Sequence, residues 1–256
     1  MMKISTAAIY TIWLREMKKF VRAKSRFVVS LMTPFFFLAF LGFGFDKNFV
    51  FPGLPPGLGY LDFLAPGIIA MVLLFSSMFA GISVIWDKQF GFLKEIMVAP
   101  VSRTSIVLGR ITAGITTGVI QGITILLLSI LLGFSVISFS GALLSLVFII
   151  LISSAFVAVG LAFASRMEDM QGFQLIMNLF IMPVFLLSGA LFPLDNLPGW
   201  LAALSYINPL TYGVDGLRGA LIGVAHLPLI VDFTVLVGFC IAMILLGTYL
   251  FSKTEV

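Results

Sequence analysis

Amide side chains are the main polar groups in this sequence that could line a path for a solute. Gln171, Gln174 and Asn178 are spaced by three and four residues, so a helix places them on one face. Gln121 adds an amide to a separate apolar run. Amides at membrane depth can line a hydrated transport pathway, or they can hydrogen-bond to a neighbouring helix. The sequence alone leaves both interpretations open.

Groups that would support enzyme chemistry are not found at the expected spacings. No ionisable residue lies in the core of a predicted span, which argues against a proton relay but leaves sodium binding by backbone carbonyls open. His226 is the single histidine, and we expect an ordinary surface or packing role for it. The single cysteine, Cys240, gives no disulfide within the chain, and we expect no metal cluster. The G-x-x-x-x-G-K-[ST] phosphate loop is also missing, so energy from ATP would have to come from another chain.

The elements that must position these side chains are membrane-spanning helices. The chain has 256 residues, of which 61% are hydrophobic and only 10% are charged, whereas soluble domains are about 25% charged. Apolar runs of about 20 residues without strict alternation predict helices rather than barrel strands. The fold class is therefore all-α integral membrane, a single domain over residues 1–256. The six predicted spans are Phe27–Phe45, Phe63–Trp86, Ile111–Gly133, Gly141–Ser165, Phe173–Phe192 and Leu229–Phe251.

The distribution of basic residues predicts the orientation in the membrane. The sequence contains 15 Lys and Arg residues. With the N-terminus in the cytoplasm, all of them except Lys47 and Arg218 fall on the cytoplasmic side of the predicted spans. Loops rich in Lys and Arg stay in the cytoplasm, so we expect both termini there.

The segment 1–26 precedes the first predicted span and has two distinct helical faces. Its basic face contains Arg15, Lys18, Lys19, Arg22 and Arg26. Its apolar face contains Trp13, Met17, Phe20 and Val21. This pattern favours an amphipathic helix that lies in the headgroup layer with its bases toward anionic lipid. The simpler alternative is a basic segment that only sets the topology.

Glycines in the third predicted span indicate close helix packing. Gly114, Gly118 and Gly122 recur every four residues and form a groove that another backbone can approach. We expect this groove to pack within the subunit rather than to form a dimer seam.

The segment 193–228 is long and apolar for a loop, but Pro209 interrupts it and Asp215 and Arg218 lie in its second half. We expect short external helices that dip into the outer leaflet, with Trp200, Tyr206 and Tyr212 at the depth of the interface.

The predicted cytoplasmic loop 87–110 connects the second and third spans. Pro100 is expected to end a short helix in it, and Ser102 is placed to cap the next helix. A short helix with charges and exposed phenylalanines can dock on a cytosolic partner. The alternative is a solvated loop without a partner.

Four stretches resemble the membrane subunits of ABC transporters of the ABC-2 type, and they are most similar to the drug-exporter branch typified by daunorubicin-resistance permeases. Phe79–Asp87 and Ala99–Arg103 are similar to that branch's cytoplasmic loop. Ser188–Pro193 and Asn208–Gly219 are similar to its C-terminal signature. The resemblance covers nearly the whole chain, including the basic helix before the first span.

The resemblance implies an assembly of two six-span subunits and two cytosolic ATPases. The second subunit would be another copy of this chain or a close paralogue, and no nucleic acid is expected. ATP and Mg would bind to the ATPases, and this chain would need no cofactor. The coupling helix to the ATPase would be Gln89–Glu95, with contacts from Gln89, Phe90, Phe92, Lys94 and Glu95. The external signature would contain Asn208, Pro209, Asp215 and Arg218.

The function implied by the resemblance is ATP-driven export by alternating access in the cytoplasmic membrane of a prokaryote. The substrate would be amphipathic or hydrophobic, either drug-like or lipid-like. The pathway would follow the dimer axis and would be lined mainly by the second and fifth spans. Two alternatives are export of a polysaccharide or lipid-linked glycan, and a membrane scaffold or assembly factor that transports nothing. The chain itself is not expected to be an enzyme.

The asymmetry of basic residues generates a prediction about topology. Cysteines introduced at Ser5, Lys94 and Lys253 should be shielded from an impermeant reagent added outside intact cells. Cysteines at Asn48 and Asn196 should react with it. Labelling of position 94 from outside would overturn the orientation.

Overall fold

The computed structural model describes residues 4–46, 57–98, 100–194 and 197–253, and these ranges form helices and their connections without a strand. The helices are α1 Thr6–Arg22, α2 Lys24–Phe36, a π-helix Phe37–Gly42, α3 Phe43–Asp46, α4 Tyr60–Phe79, α5 Ile82–Gln89, α6 Phe92–Val98, α7 Arg103–Leu131, α8 Phe139–Arg166, α9 Met170–Leu186, α10 Gly199–Ile207, α11 Pro209–Ile222 and α12 Leu229–Ser252.

Five helical segments of the described chain are long and apolar enough to cross a membrane, for which about 20 residues are needed. They are Lys24–Phe45, Tyr60–Gln89, Arg103–Leu131, Phe139–Arg166 and Leu229–Ser252. The predicted all-α membrane fold is confirmed. The remaining predicted span, Phe173–Phe192, corresponds to the shorter apolar helix α9 of 17 residues. That helix ends early because the chain turns at Gly189, which has a positive φ of 72°.

The second span is interrupted at Ala80–Gly81, between α4 and α5, where the sequence predicted a continuous helix. A Cβ atom added to Gly81 would overlap the carbonyl of Gly160 in α8. A Cβ atom added to Gly160 would in turn overlap the carbonyl of Met78. The two backbones therefore touch directly, which only glycine at both positions allows.

Helices α4 and α8 form the centre of the bundle. Nearly all side chains of α4 from Tyr60 to Leu74 are buried, and so are most of those of α8 from Phe148 to Ala164. Lipid tails are as apolar as these side chains, so close packing rather than exclusion from water holds such helices together.

The glycine groove of the third span packs inside the chain, as predicted. Gly114 faces Val157 of α8, where an added Cβ would lie 2.6 Å from a valine methyl. Gly118 faces Ser153, and Gly122 faces Leu73 and Ile149. The groove is thus filled by α8 and α4 of the same subunit.

Helix α1 is fastened to α7 by direct contacts. The indole N–H of Trp13 donates to Thr116 Oγ1 at 3.0 Å, and the backbone N–H of Ser5 donates to Ser105 Oγ at 3.0 Å. Ile12 is buried against Gly109. A side chain larger than that of glycine at position 109 would overlap Ile12. The N-terminal helix therefore belongs to the packed body of the subunit.

The contact between Gly81 and Gly160 generates a prediction about stability. Gly160→Ala should lower the free energy of unfolding by about 1–3 kcal/mol, because overpacking forces the two helices apart. Thermal unfolding of the detergent-solubilised protein measures this change. Gly238→Ala is the matched control, since no atom lies within 4 Å of its added Cβ. Equal midpoints for the two variants would contradict the packing described.

Candidate functional site

The carboxylate of Asp87 joins three helices at one end of the bundle. Asp87 lies near the end of α5 and is 5% exposed. It accepts a hydrogen bond from Arg15 of α1 and another from Arg110 of α7, the latter at 2.5 Å. Lys19 of α1 lies 3.8 Å from the same carboxylate. One acidic side chain thus ties the N-terminal helix to two membrane spans.

Arg110 makes this arrangement energetically demanding. It is 3% exposed, and its second contact is a hydrogen bond to Ser83 Oγ at 3.0 Å. A charge buried to this extent is strongly destabilising unless an opposite charge and further hydrogen bonds compensate it. Asp87 supplies that opposite charge, so α5 and α7 are held in one relative position.

The next two residues connect α5 to the α8–α9 turn. Lys88 Nζ donates to the carbonyls of Ala164, Ser165 and Met167 at 3.3, 2.8 and 3.1 Å. The last carbonyls of a helix lack partners within it, and a cation there is favourable. Gln89 Nε2 donates to the carbonyl of Glu168 at 3.1 Å. We call Asp87, Lys88 and Gln89 the loop joint, because together they link α1, α7, α8 and the connection between α8 and α9.

Exposed aromatic side chains lie beside the loop joint. Phe90 is 72% exposed and stacks on Trp86, with 5.2 Å between ring centroids. Phe92 is 38% exposed and lies under the guanidinium of Arg15, 4.3 Å from its ring centroid. Glu95 is exposed on the following turn of α6. We call Trp86, Phe90, Phe92 and Glu95 the aromatic knob.

The structure divides the segment that was predicted to form a single coupling helix. Gln89 ends α5 and Phe92 begins α6, so Gln89–Glu95 is two helices and not one. The break occurs at Gly91, whose φ of 72° is left-handed. The side chain of Lys94 lies outside the described residues. The predicted helix boundary and cap are confirmed, since α6 ends before Pro100 and Ser102 Oγ accepts the N–H of Ser105.

The four amides considered as pathway residues fall into two places. Gln171, Gln174 and Asn178 share an exposed face of α9. Leu175 and Leu179 are exposed on the same helix. Gln121 is buried, and its Nε2 donates to Ser30 Oγ of α2 at 3.3 Å, which is the interhelical hydrogen bond of the second interpretation. The structure therefore groups the three α9 amides and separates Gln121 from them.

The two halves of the second span differ in how far they are covered, and its expected role in lining a pathway stays a prediction. The α4 part of that span is surrounded by α7, α8 and α11 of its own chain, and the residues Leu64, Ile68 and Leu73 are fully buried. Toward the end of α4 the cover is incomplete, since Phe75, Ser76 and Phe79 are half-buried. The most exposed face among the two spans expected to line a pathway belongs to α9.

Three of the four external signature residues, Asn208, Asp215 and Arg218, are buried and connect α11 to its neighbours. Asn208 caps this helix by accepting the N–H of Leu210, and it donates to the carbonyl of Val184 at 2.6 Å. Pro209 is its first residue, where a missing N–H has no cost. Asp215 accepts backbone N–H groups from the loop that follows α11, and Arg218 donates to carbonyls of α4 and of the turn after α9. The predicted short helices in this segment are confirmed as α10 and α11.

Sequence reasoning missed the ion network and a second buried acid. Arg15 was assigned to a lipid-facing basic stripe, but its guanidinium turns to Asp87. Asp87 and Arg110 lie directly beside the ends of two predicted spans, where Arg110 contributes to the predicted topology and Asp87 has no predicted role. Asp232 is fully buried in the first turn of α12. The signal that could have revealed the network is a lone acid, Asp87, directly after an apolar span in an otherwise basic region.

Comparison with known proteins settles the family. The ABC-2 type transporter model matches residues 7–222. The chain belongs to the ABC-2 type transporter family. The inner membrane transport permease YadH of Escherichia coli is 28% identical over 252 residues, which cover 96% of this chain and 95% of that protein. The putative transport permease ycf38 of Cyanophora paradoxa is 30% identical over 206 residues, which cover 78% of this chain and 70% of that protein.

A third relative carries a more specific name. The probable multidrug ABC transporter permease YbhR of Escherichia coli is 30% identical over 162 residues, which cover 62% of this chain and 44% of that protein. As an ABC-2 permease, this chain is the transmembrane subunit of an ABC transporter and not its ATPase. The family implies an ABC ATPase as partner.

The Asp87 network generates a prediction about stability. Asp87→Asn should lower the free energy of unfolding by about 3–5 kcal/mol, because Arg110 would stay buried without its counter-ion. Denaturation of the purified protein in detergent measures this loss. Glu95→Gln removes an exposed carboxylate and should change stability by no more than about 0.5 kcal/mol. If Asp87→Asn unfolds like the wild type, Asp87 does not neutralise Arg110.

Proposed function

We propose that this chain is the transmembrane subunit of an ATP-driven exporter that moves an amphipathic or hydrophobic substrate, drug-like or lipid-like, outward by alternating access. The observation that carries the proposal is the aromatic knob, an exposed surface that the loop joint connects to α1, α7, α8 and the segment leading into α9. Family membership supplies the ATPase that would bind this surface. The name of YbhR supports a drug-like substrate.

The proposed mechanism passes motion through the loop joint. When the ATPases close on ATP, they push the aromatic knob through Phe90, Phe92 and Glu95. Arg15 connects the knob to the ion network, because its guanidinium contacts both the Phe92 ring and Asp87. Lys88 and Gln89 carry the displacement to the start of α9. Packed helices joined in this way move as bodies between two discrete arrangements.

The proposed assembly has two copies of this subunit, or this chain with a paralogue, and two ATPases that hold ATP and Mg. It lies in the cytoplasmic membrane of a prokaryote with both termini in the cytoplasm. The exposed face of α9 would turn toward the second subunit and the pathway. Its amides, Gln171, Gln174 and Asn178, alternate with Leu175 and Leu179. A wall that is polar and apolar in turn suits an amphipathic substrate better than a wholly hydrophilic one.

Transport by the assembled complex tests the proposed function. Proteoliposomes containing this chain and its ABC ATPase should move a fluorescent amphipathic dye when ATP is supplied on the ATPase side. This chain purified alone should hydrolyse no ATP above background. ATP-dependent movement of a glycan-linked lipid without any dye movement would contradict the proposed substrate class. A stable complex that moves neither would contradict transport itself.

The aromatic knob generates a prediction about the partner. Phe90→Ala, Phe92→Ala and Glu95→Ala should each weaken ATPase binding by about tenfold or more, equivalent to about 1.4 kcal/mol, because such anchors concentrate interface energy. The affinity of the detergent-solubilised chain for the ATPase measures this effect. Thermal stability should change little, since these side chains are exposed.

Two control variants accompany this measurement. Phe139→Ala removes an exposed phenylalanine from the far end of α8, and Lys47→Ala changes the predicted outer loop. Both should bind the ATPase like the wild type. If all three knob variants bind the ATPase with normal affinity, the aromatic knob is not part of the docking surface.

A further inference from the structure

A cavity of about 200 Å³ lies at the end of the bundle opposite the aromatic knob. It is bordered by the start of α4, the turn after α9, and α11 with the loop that follows it. Its lining includes Phe63, Ser188, Tyr206, Asp215, Arg218 and His226. Because one water occupies about 30 Å³ of liquid volume, the cavity has room for a polar group of several heavy atoms. We call it the Arg218 cavity.

Arg218 is the cationic side chain of this cavity, and its hydrogen bonding is incomplete. The side chain is buried, with 8% of the residue exposed. Its Nη2 donates to the carbonyls of Phe63 and Gly189 at 3.3 and 3.0 Å, and its guanidinium lies 3.8 Å over the Phe63 ring. Its Nε is buried without a hydrogen-bond partner. Carbonyls and a ring face stabilise a cation, but they do not neutralise it.

No carboxylate of the described residues forms an ion pair with this guanidinium, and Asp215 acts on it only at longer range. Among the described residues, every ion pair within 4.0 Å involves Asp87 or Glu16, at the other end of the bundle. Burial lowers the pKa of Arg218 to about 10, and the charge of Asp215 opposes that shift. Arg218 therefore remains charged at neutral pH. A buried charge of this kind is normally paired.

Asp215 lines the same cavity but is already engaged. Its two oxygens accept the N–H of His226 at 2.8 and 3.0 Å and the N–H of Leu227 at 2.8 Å. These bonds fix the loop after α11 and disperse the carboxylate charge over the two amides. Asp215 therefore reduces the positive potential of the cavity, yet its oxygens form no direct bond to Arg218.

We propose that the Arg218 cavity binds the phosphate group of a small anion or of a phospholipid headgroup, with the guanidinium of Arg218 as its principal ligand. Charge-assisted bonds between a guanidinium and the oxygens of a phosphate are among the strong hydrogen bonds in proteins. Tyr206 at the cavity and Trp200 on the same helix are exposed aromatic residues. Tyr and Trp of this kind are enriched at headgroup level, which places a lipid phosphate within reach. The site is independent of the proposed ATPase and substrate.

The test uses the full-length chain, purified in a phosphate-free detergent and stripped of phospholipid. One arm titrates inorganic phosphate and follows the thermal unfolding midpoint. The other arm adds phosphatidylglycerol and counts retained lipids by native mass spectrometry. Arg218→Gln removes the charge. Ala225→Phe fills the cavity from an exposed lining position and leaves Arg218 intact. Lys24→Gln removes one exposed positive charge far from the cavity and serves as the control.

The wild type and Lys24→Gln should bind with equal affinity, while Arg218→Gln and Ala225→Phe should bind at least tenfold more weakly. Saturable stabilisation by inorganic phosphate identifies a soluble anion, and retention of one phosphatidylglycerol alone identifies the headgroup. Because Arg218→Gln disturbs a buried residue, Ala225→Phe decides the outcome if the first variant does not fold. The proposal is overturned if the wild type binds neither probe, or if a folded Ala225→Phe binds as tightly as the wild type.

Discussion

The carboxylate of Asp87, shared between the guanidinium groups of Arg15 and Arg110, determines how the rest of the subunit is arranged. Arg110 is buried within α7, and a charge in that position requires an opposite charge held close to it. The acid that supplies it stands at the end of α5, so the second and third spans cannot separate there without exposing an unpaired ion. Arg15 brings α1 to the same point and covers Phe92. The exposed loop is consequently continuous with the membrane bundle.

The middle of the bundle and its two ends are therefore held together by chemically different kinds of contact. In the middle of the bundle, glycines such as Gly81, Gly114 and Gly160 let backbones touch, and no charge is involved. At its two ends, buried charges are held by specific partners, which are Asp87 at one end and backbone groups around Arg218 at the other. Close packing holds the spans against one another, and the charged contacts join specific helices at each end. This division suits a transporter subunit that must transmit a displacement across its length.

The sequence predicted the class of fold because lipid imposes long apolar runs, and it predicted the internal glycine groove because small residues recur with the helical period. Interruptions of these runs were not predictable. The break at Gly81 depends on Gly160, which is distant in sequence, and Gly91 divides the predicted coupling helix through its left-handed backbone. The ion network was missed for a related reason: Arg15, Asp87 and Arg110 stand in three segments that only the tertiary structure brings together. The family motifs include this loop, but they do not reveal which contacts hold it to the bundle.

In the proposed mechanism, the loop joint passes motion of the aromatic knob to α9. Spin labels at Leu175 of α9 and Leu245 of α12, both on exposed positions, report the distance between these helices within one labelled subunit diluted among unlabelled copies. In the complex with the ABC ATPase, ATP should change this distance in the wild type. Lys88→Met, which removes the donors to the end of α8 while keeping the length of the side chain, should bind the ATPase normally and lose the change. A change of equal size in Lys88→Met would contradict transmission through the loop joint.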